Sequence, residues 1–140
     1  MSSTIFHLII LLMAMVMVSP TVNSETLPTY TVDIGSNLTD ALTVHCQSNI
    51  GDDIGTRVLQ YAGHYSWKFG VTVDQPRIFS CYLSFGNSRG AFDAFIYGRD
   101  FDRCKNNLCQ WCVNRRGVYI NIMEGWKIEY VWKYGALNED

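Results

Sequence analysis

Helical periodicity is missing from this sequence. No window sets apolar residues at three- and four-residue spacing between recognisable caps, which argues against any bundle of helices. Apart from Leu8 to Val18, which ends shortly before Pro20, there is no long apolar run. That run is well short of the roughly 20 apolar residues a membrane-spanning helix requires. Histidine is scarce: His7, His45 and His64 are the only three. The G-x-S-x-G, H-E-x-x-H and glycine-rich phosphate motifs are absent, which removes the commonest hydrolase, zinc-protease and nucleotide readings. Charge has no dominant sign, since 11 basic and 13 acidic side chains are interspersed. A nucleic-acid binder would need a basic stripe, and no nucleic-acid partner is expected. There is no internal repeat, low-complexity tract or dividing linker.

What the amino-terminal region does contain fits a secretory signal. Leu8 to Val18 is the length of a signal h-region, and Val22 and Ser24 occupy the minus-three and minus-one positions of a cut after Ser24. The n-region carries His7 but neither Lys nor Arg. The expectation is a signal peptide over residues 1–24 and one secreted, extracellular domain over residues 25–140, with no membrane insertion after cleavage. A domain of that length buries about two-thirds of its unfolded surface, a modest core that gains from cross-links.

Alternation of period two runs through that domain. In Leu42-Thr43-Val44-His45-Cys46-Gln47-Ser48, the residues Leu42, Val44 and Cys46 share one phase, as a half-buried strand requires. Tyr65, Trp67 and Phe69 repeat the pattern. So do Trp126, Ile128, Tyr130 and Trp132, set against Lys127, Glu129, Val131 and Lys133. Strands are predicted near 29–34, 41–48, 57–62, 64–72, 77–84, 91–97, 109–114, 117–122 and 126–134, with Ala136 to Asp140 a frayed tail. Many short strands separated by turn residues predict an all-β fold, a small disulfide-linked antiparallel β-sandwich or barrel. Most aromatic side chains, including Tyr65, Trp67, Phe69, Phe79, Trp111, Trp126 and Trp132, fall on inward phases and read as core.

Five cysteines in an oxidising compartment imply two bridges and one leftover thiol. Cys109 is in phase with Trp111 and Val113, whereas Cys112 points the other way with Gln110. Cys46, Cys81, Cys104 and Cys109 are therefore expected to pair, in any of three connectivities, with Cys112 free and available for a bridge between otherwise monomeric chains. In the loop-entropy model a local Cys104 to Cys109 bridge contributes about 2 kcal/mol and a long Cys46 to Cys109 bridge about 4 kcal/mol. Zinc spacing would need a second cysteine pair, and a redox C-x-x-C would open a helix, whereas Cys109 and Cys112 lie in a strand pattern. No metal and no cofactor is expected.

Catalytic constellations are equally thin. His45, His64 and Lys68 are the residue types that cleave RNA by general acid and base, but both histidines read as surface residues. The carboxylate pairs Asp52-Asp53, Asp100 with Asp102, and Glu139-Asp140 lie in turns or the tail, where solvated acids are the default. Asn37-Leu38-Thr39 is an N-glycosylation sequon in turn-rich sequence, which makes Asn37 a modification site. Polar loops on a cross-linked β scaffold are a design for recognition. The loops at 86–90 and 98–107 carry the candidate contact residues Asn87, Ser88, Arg89, Arg99, Asp100, Asp102, Lys105 and Asn106. Exchanging either loop is expected to alter partner choice and leave folding intact.

Taken in order, V-H-C-Q-S at 44–48, D-D-I-G at 52–55, Y-S-W-K-F at 65–69, I-F-S-C at 78–81, R-C-K-N-N-L-C-Q-W at 103–111, Gly117, Tyr130 and Trp132 resemble the plant self-incompatibility protein S1 family. The resemblance covers nearly all of the chain after residue 24. It implies a small secreted β-sandwich with paired cysteines at Cys46, Cys81, Cys104 and Cys109. It also implies a non-enzymatic signalling ligand recognised by a cell-surface membrane protein, in the founding members to reject self pollen. Ser80 stands where many relatives carry a bulky aromatic, and Cys112 is additional. The competing readings are a secreted ribonuclease-like hydrolase and a small-ligand carrier, the latter needing a cavity that large inward aromatics would fill.

Overall fold

The computed structural model describes Thr4 and residues 28–140. The signal-peptide expectation, Thr4 excepted, lies outside the described residues. Ten strands follow one another: β1 Thr29–Ser36, β2 Leu42–Ser48, β3 Asp53–Leu59, β4 His64–Gly70, β5 Ile78–Phe85, β6 Ser88–Ile96, β7 Leu108–Val113, β8 Gly117–Ile122, β9 Gly125–Lys133 and β10 Ala136–Glu139. The fold is all-β. The strands form one continuous sheet in the order β3-β2-β5-β6-β10-β9-β8-β7-β1-β4. Its two edge strands approach each other where the Tyr65 phenol donates to the Gly55 carbonyl. Pairing is antiparallel with two exceptions, since β1 runs parallel to β7 and β10 parallel to β6. The expected antiparallel pairing holds for every other neighbour; the parallel contacts are one six-residue ladder, β1 with β7, and the single pair Ala136 with Arg89.

Alternation explains most of the core. Val32, Ile34, Leu42, Val44, Trp111, Val113, Val118 and Ile120 are wholly buried and come from strands spread across the sheet. Phe79, Phe95 and Tyr65 fill the space between them. Trp111 packs edge-on against Phe92 and donates its indole N–H to the Ala94 carbonyl at 2.9 Å, which satisfies the one polar atom it buries. At Gly117 an added Cβ would lie 2.0 Å from the Tyr130 carbonyl oxygen, so only glycine lets β8 and β9 come this close.

Three expectations change. The strand placed at 57–62 is β3 at Asp53–Leu59, and residues 60–63 form the turn into β4. The supposed tail contains β10, inserted between β6 and β9 with Leu137 packed on the core. Gly90 makes room for it, because a Cβ there would meet Leu137 Cβ at 2.3 Å. Trp126 is not core: it is 50% exposed. Between Val118 and Tyr119 the β8–β9 register shifts, with Val118 opposite Tyr130 but Tyr119 opposite Ile128. One extra residue in β9, Glu129, reverses the phase upstream, and Trp126 then pairs with outward-facing Asn121.

Candidate functional site

Cys46, Cys81, Cys109 and Cys112 lie in strands, and Cys104 in the loop before β7. Cys46 and Cys81 face each other across β2 and β5 and are bridged, and Cys104 is bridged to Cys109 over a separation of 5 residues. Cys112 remains a half-buried thiol whose pKa is pushed up by burial. A raised pKa leaves little thiolate and so a poor nucleophile. Ser80 turns outward, and its hydroxyl donates to Asp93 at 2.7 Å, so a small polar contact occupies the place of a bulky ring. Asn37 follows β1 with an exposed side chain, while Leu38 beside it is buried.

The two loops singled out for recognition lie at opposite ends of the sheet. β6 separates them, and its nine residues extend about 26–30 Å at a strand's rise. The first loop shrinks to a turn at Gly86 and Asn87, with Ser88 and Arg89 already in β6. Arg89 lies beside the Tyr134-Gly135 turn, its amide donating to the Gly135 carbonyl at 2.9 Å.

The second loop is a folded knot. Asp100, expected to be an exposed contact, is fully buried. Its carboxylate accepts from the Ile96 amide at 2.7 Å and from Arg99 Nε at 3.0 Å and Nη2 at 2.8 Å, with Arg103 Nε 3.6 Å away. Burial works against the charge on Arg99, but Asp100 more than offsets it and the guanidinium pKa is raised. The Cys104 amide donates to the Asp100 main-chain carbonyl at 3.1 Å, which joins the backbone at Asp100 to the local disulfide. Arg99 also reaches the Asp93 carbonyl, so it too is spent on structure. Asp102 and Asn106 remain exposed, and Lys105 is half-buried with Nζ 3.1 Å from Asn121 Oδ1. An exchange of 98–107 therefore preserves folding only if Asp100, Arg99 and Cys104 are kept.

Beside this knot stands the β8–β9 hairpin, whose strands were expected but which was not among the expected recognition loops. Met123 at its tip is 74% exposed, and Trp126 projects from the start of β9. A depression of about 340 Å³ between hairpin and loop is lined by Asp102, Arg103, Ile122, Met123, Glu124, Lys127 and Glu129. Arg103 and Glu129 form an ion pair at 3.3 Å across it. Met123 borders this depression with its charges of both signs, and Trp126 is a second exposed apolar side chain on the same hairpin. Exposed apolar groups beside polar rims are features of protein contacts. The signal for Trp126 was hidden by the bulge, but a tip reading Met-Glu-Gly-Trp was visible as an apolar turn.

The remaining chemistry stays dispersed. His45 on β2 bonds Asp53 at 2.8 Å, whereas His64 on β4 bonds Asp33 at 3.0 Å, so the two histidines serve different carboxylates on different strands. Asp53 is held below the ordinary carboxylate range, first by His45 and then by the Gly55 amide. No group of three or more His, Cys, Asp or Glu among the described residues is placed to hold a metal ion. The interior expected of a carrier is packed by Trp111, Tyr65, Phe79 and Phe95.

A small, doubly bridged all-β domain that holds its loops rigid is a scaffold for presenting surface. Residues 31–132 match the plant self-incompatibility protein S1 family, and the chain belongs to that family. Similar proteins in Arabidopsis thaliana include S-protein homolog 24, 34% identical over 56% of this chain and 51% of its own length. S-protein homolog 6 is 37% identical over 56% of each chain. S-protein homolog 29 is 29% identical over 70% of this chain and 69% of its own. For the first of these relatives, the match spans about half of the relative's length.

Proposed function

We propose that the protein is a secreted signalling ligand of the self-incompatibility type, bound by a cell-surface membrane protein at the end of the sheet that carries the 98–107 loop and the β8–β9 hairpin. The observation that carries this reading is the exposed Met123 and Trp126 pair set beside a loop held rigid by Asp100 and the Cys104–Cys109 bridge. Tryptophan is the residue type most enriched among binding hot spots, and a rigid loop loses little entropy on association. Secretion is supported by the two disulfides, which persist in oxidising compartments, and by the signal-like segment at residues 1–24. Membership of the family supports the self-incompatibility setting, with rejection of self pollen as its specific form.

The test is retention of a membrane protein from plant extracts by the secreted, oxidised protein, read by mass spectrometry, with Trp126→Ala and Asp102→Asn as comparison proteins. Because Trp126 points outward, its truncation leaves the fold in place and is expected to abolish retention. A membrane protein held equally by the Trp126→Ala form, or none held by correctly folded protein, would overturn the assignment.

A further inference from the structure

At the opposite end of the molecule, on the outer face of β2, β5 and β6, lies a larger groove of about 720 Å³. Register sets its walls. Thr43 pairs with Ser84 and Ser84 with Arg89, and in the next row His45 pairs with Tyr82 and Tyr82 with Ala91. Paired residues share a face, so two hydroxyls and a guanidinium form one row and an imidazole and a phenol the next, with Ala91 opening the floor. Most aromatics of this chain are core, but Tyr82 is 49% exposed, its ring 6.2 Å from that of His45. Arg89 is exposed, and its guanidinium has no hydrogen-bond or ion-pair partner among the described residues. Its row continues through Ala136 to Lys133, two strands or about 10 Å away and also exposed.

We infer that this groove binds a carboxylated oligosaccharide, a chain of uronate sugars. A pyranose offers an apolar C–H face, hydroxyls at its edge and, in a uronate, a planar carboxylate. The Tyr82 ring supplies a surface for the C–H face, Thr43 and Ser84 donate to and accept from hydroxyls, and Arg89 matches the carboxylate with its forked donors. Lys133 lies at a distance suited to a second carboxylate. An extended peptide is disfavoured on β2 and β5, which are paired along both sides, and on β6 at Arg89, where Ala136 of β10 already occupies the backbone edge. Charge favours an anion at the Arg89 side of the groove: this end carries Arg89, Arg115, Arg116 and Lys133 against Asp40, which is held by Arg115 at 2.8 Å. The carboxylates Asp53, bonded to His45, and Asp93 and Glu139, beyond Tyr82 and Ala91, border the other side. The groove is separate from the Trp126 end, so loss of either binding leaves the other measurable.

The experiment is titration of the secreted, oxidised protein with a galacturonate oligomer, followed by calorimetry and by amide chemical shifts. Its comparison ligands are the same oligomer with methyl-esterified carboxylates and a poly-glutamate peptide. The expected result is saturable binding of the uronate oligomer, with shifts at Thr43, Tyr82 and Ala91. Arg89→Gln and Tyr82→Ala should each weaken it at least tenfold without lowering the unfolding midpoint, and the esterified oligomer should bind at least tenfold more weakly. Absence of binding would overturn the inference, as would equal affinity for the ester. Poly-glutamate binding as tightly, with Tyr82→Ala silent, would reassign the groove to acidic peptides. A dependence on Arg116 but not on Arg89 would reduce it to diffuse charge.

Discussion

Replacing Asp100 by Asn separates a residue that builds the recognition end from one that contacts a partner. The substitution keeps the shape of the side chain and removes its charge. In the folded protein that charge meets the Ile96 amide, two Arg99 nitrogens and, at longer range, Arg103, all at a site with no solvent exposure. Breaking a buried ion pair by removing one partner costs about 3–5 kcal/mol, chiefly because the other charge is left uncompensated. Here the arginine side chains keep 24% exposure, so water recovers part of the loss and the lower end applies, about 3 kcal/mol. For a domain of this size each kcal/mol moves Tm by about 3–6 °C, so a fall of about 10–15 °C is expected. Asp102→Asn, two residues away on the exposed surface, should stay within about 0.5 kcal/mol of the parent. Thermal unfolding followed by near-UV circular dichroism measures both. A fall below about 3 °C for Asp100→Asn, or an equal fall for Asp102→Asn, would refute the reasoning that burial and pairing, rather than position in the loop, set the cost.

Four further outcomes follow from the same geometry. Gly117→Ala, whose new methyl would overlap the Tyr130 carbonyl, should destabilise by at least about 2 kcal/mol in urea titration, because backbone on both strands must move. Removing Cys46 and Cys81 together opens a link of 35 residues and should cost about 4 kcal/mol, against about 2 kcal/mol for Cys104 with Cys109 at 5 residues, read as the difference in urea midpoints. Asp53 has a lowered folded-state pKa, so its contribution is complete above the ordinary carboxylate value and is lost as pH falls through the folded one. His45→Ala should raise the Asp53 midpoint in an NMR titration, and an unmoved midpoint would remove His45 as the cause. Cys112, half-buried with a raised pKa, should react with iodoacetamide far more slowly than a free thiol at pH 8 and reach normal rates in denaturant.

Local sequence was sufficient for the all-β class, because alternation of period two is written along each strand and needs no partner to be seen. It also placed the strand cysteines, since a cysteine in phase with Trp111 or with Val44 faces the same core as its neighbours, whereas Cys104 lies in a loop that phase does not reach. The ordered motifs from Val44 to Trp132 carried the family. Tertiary structure alone decided which side of the sheet Trp126 occupies: one extra residue opposite β8 reverses the phase, and a bulge belongs to a pair of strands rather than to either one. The same holds for Asp100, which reads as a solvated loop acid until the fold brings Arg99 and Arg103 around it. β10 has too few apolar residues to announce itself and exists because Gly90 leaves space beside β6. That the two polar loops stand at opposite ends is likewise a matter of connectivity, as a strand must carry the chain across the sheet between them. Periodicity reports what one segment does, whereas register, burial of charge and distance between loops depend on what the rest of the chain places beside it.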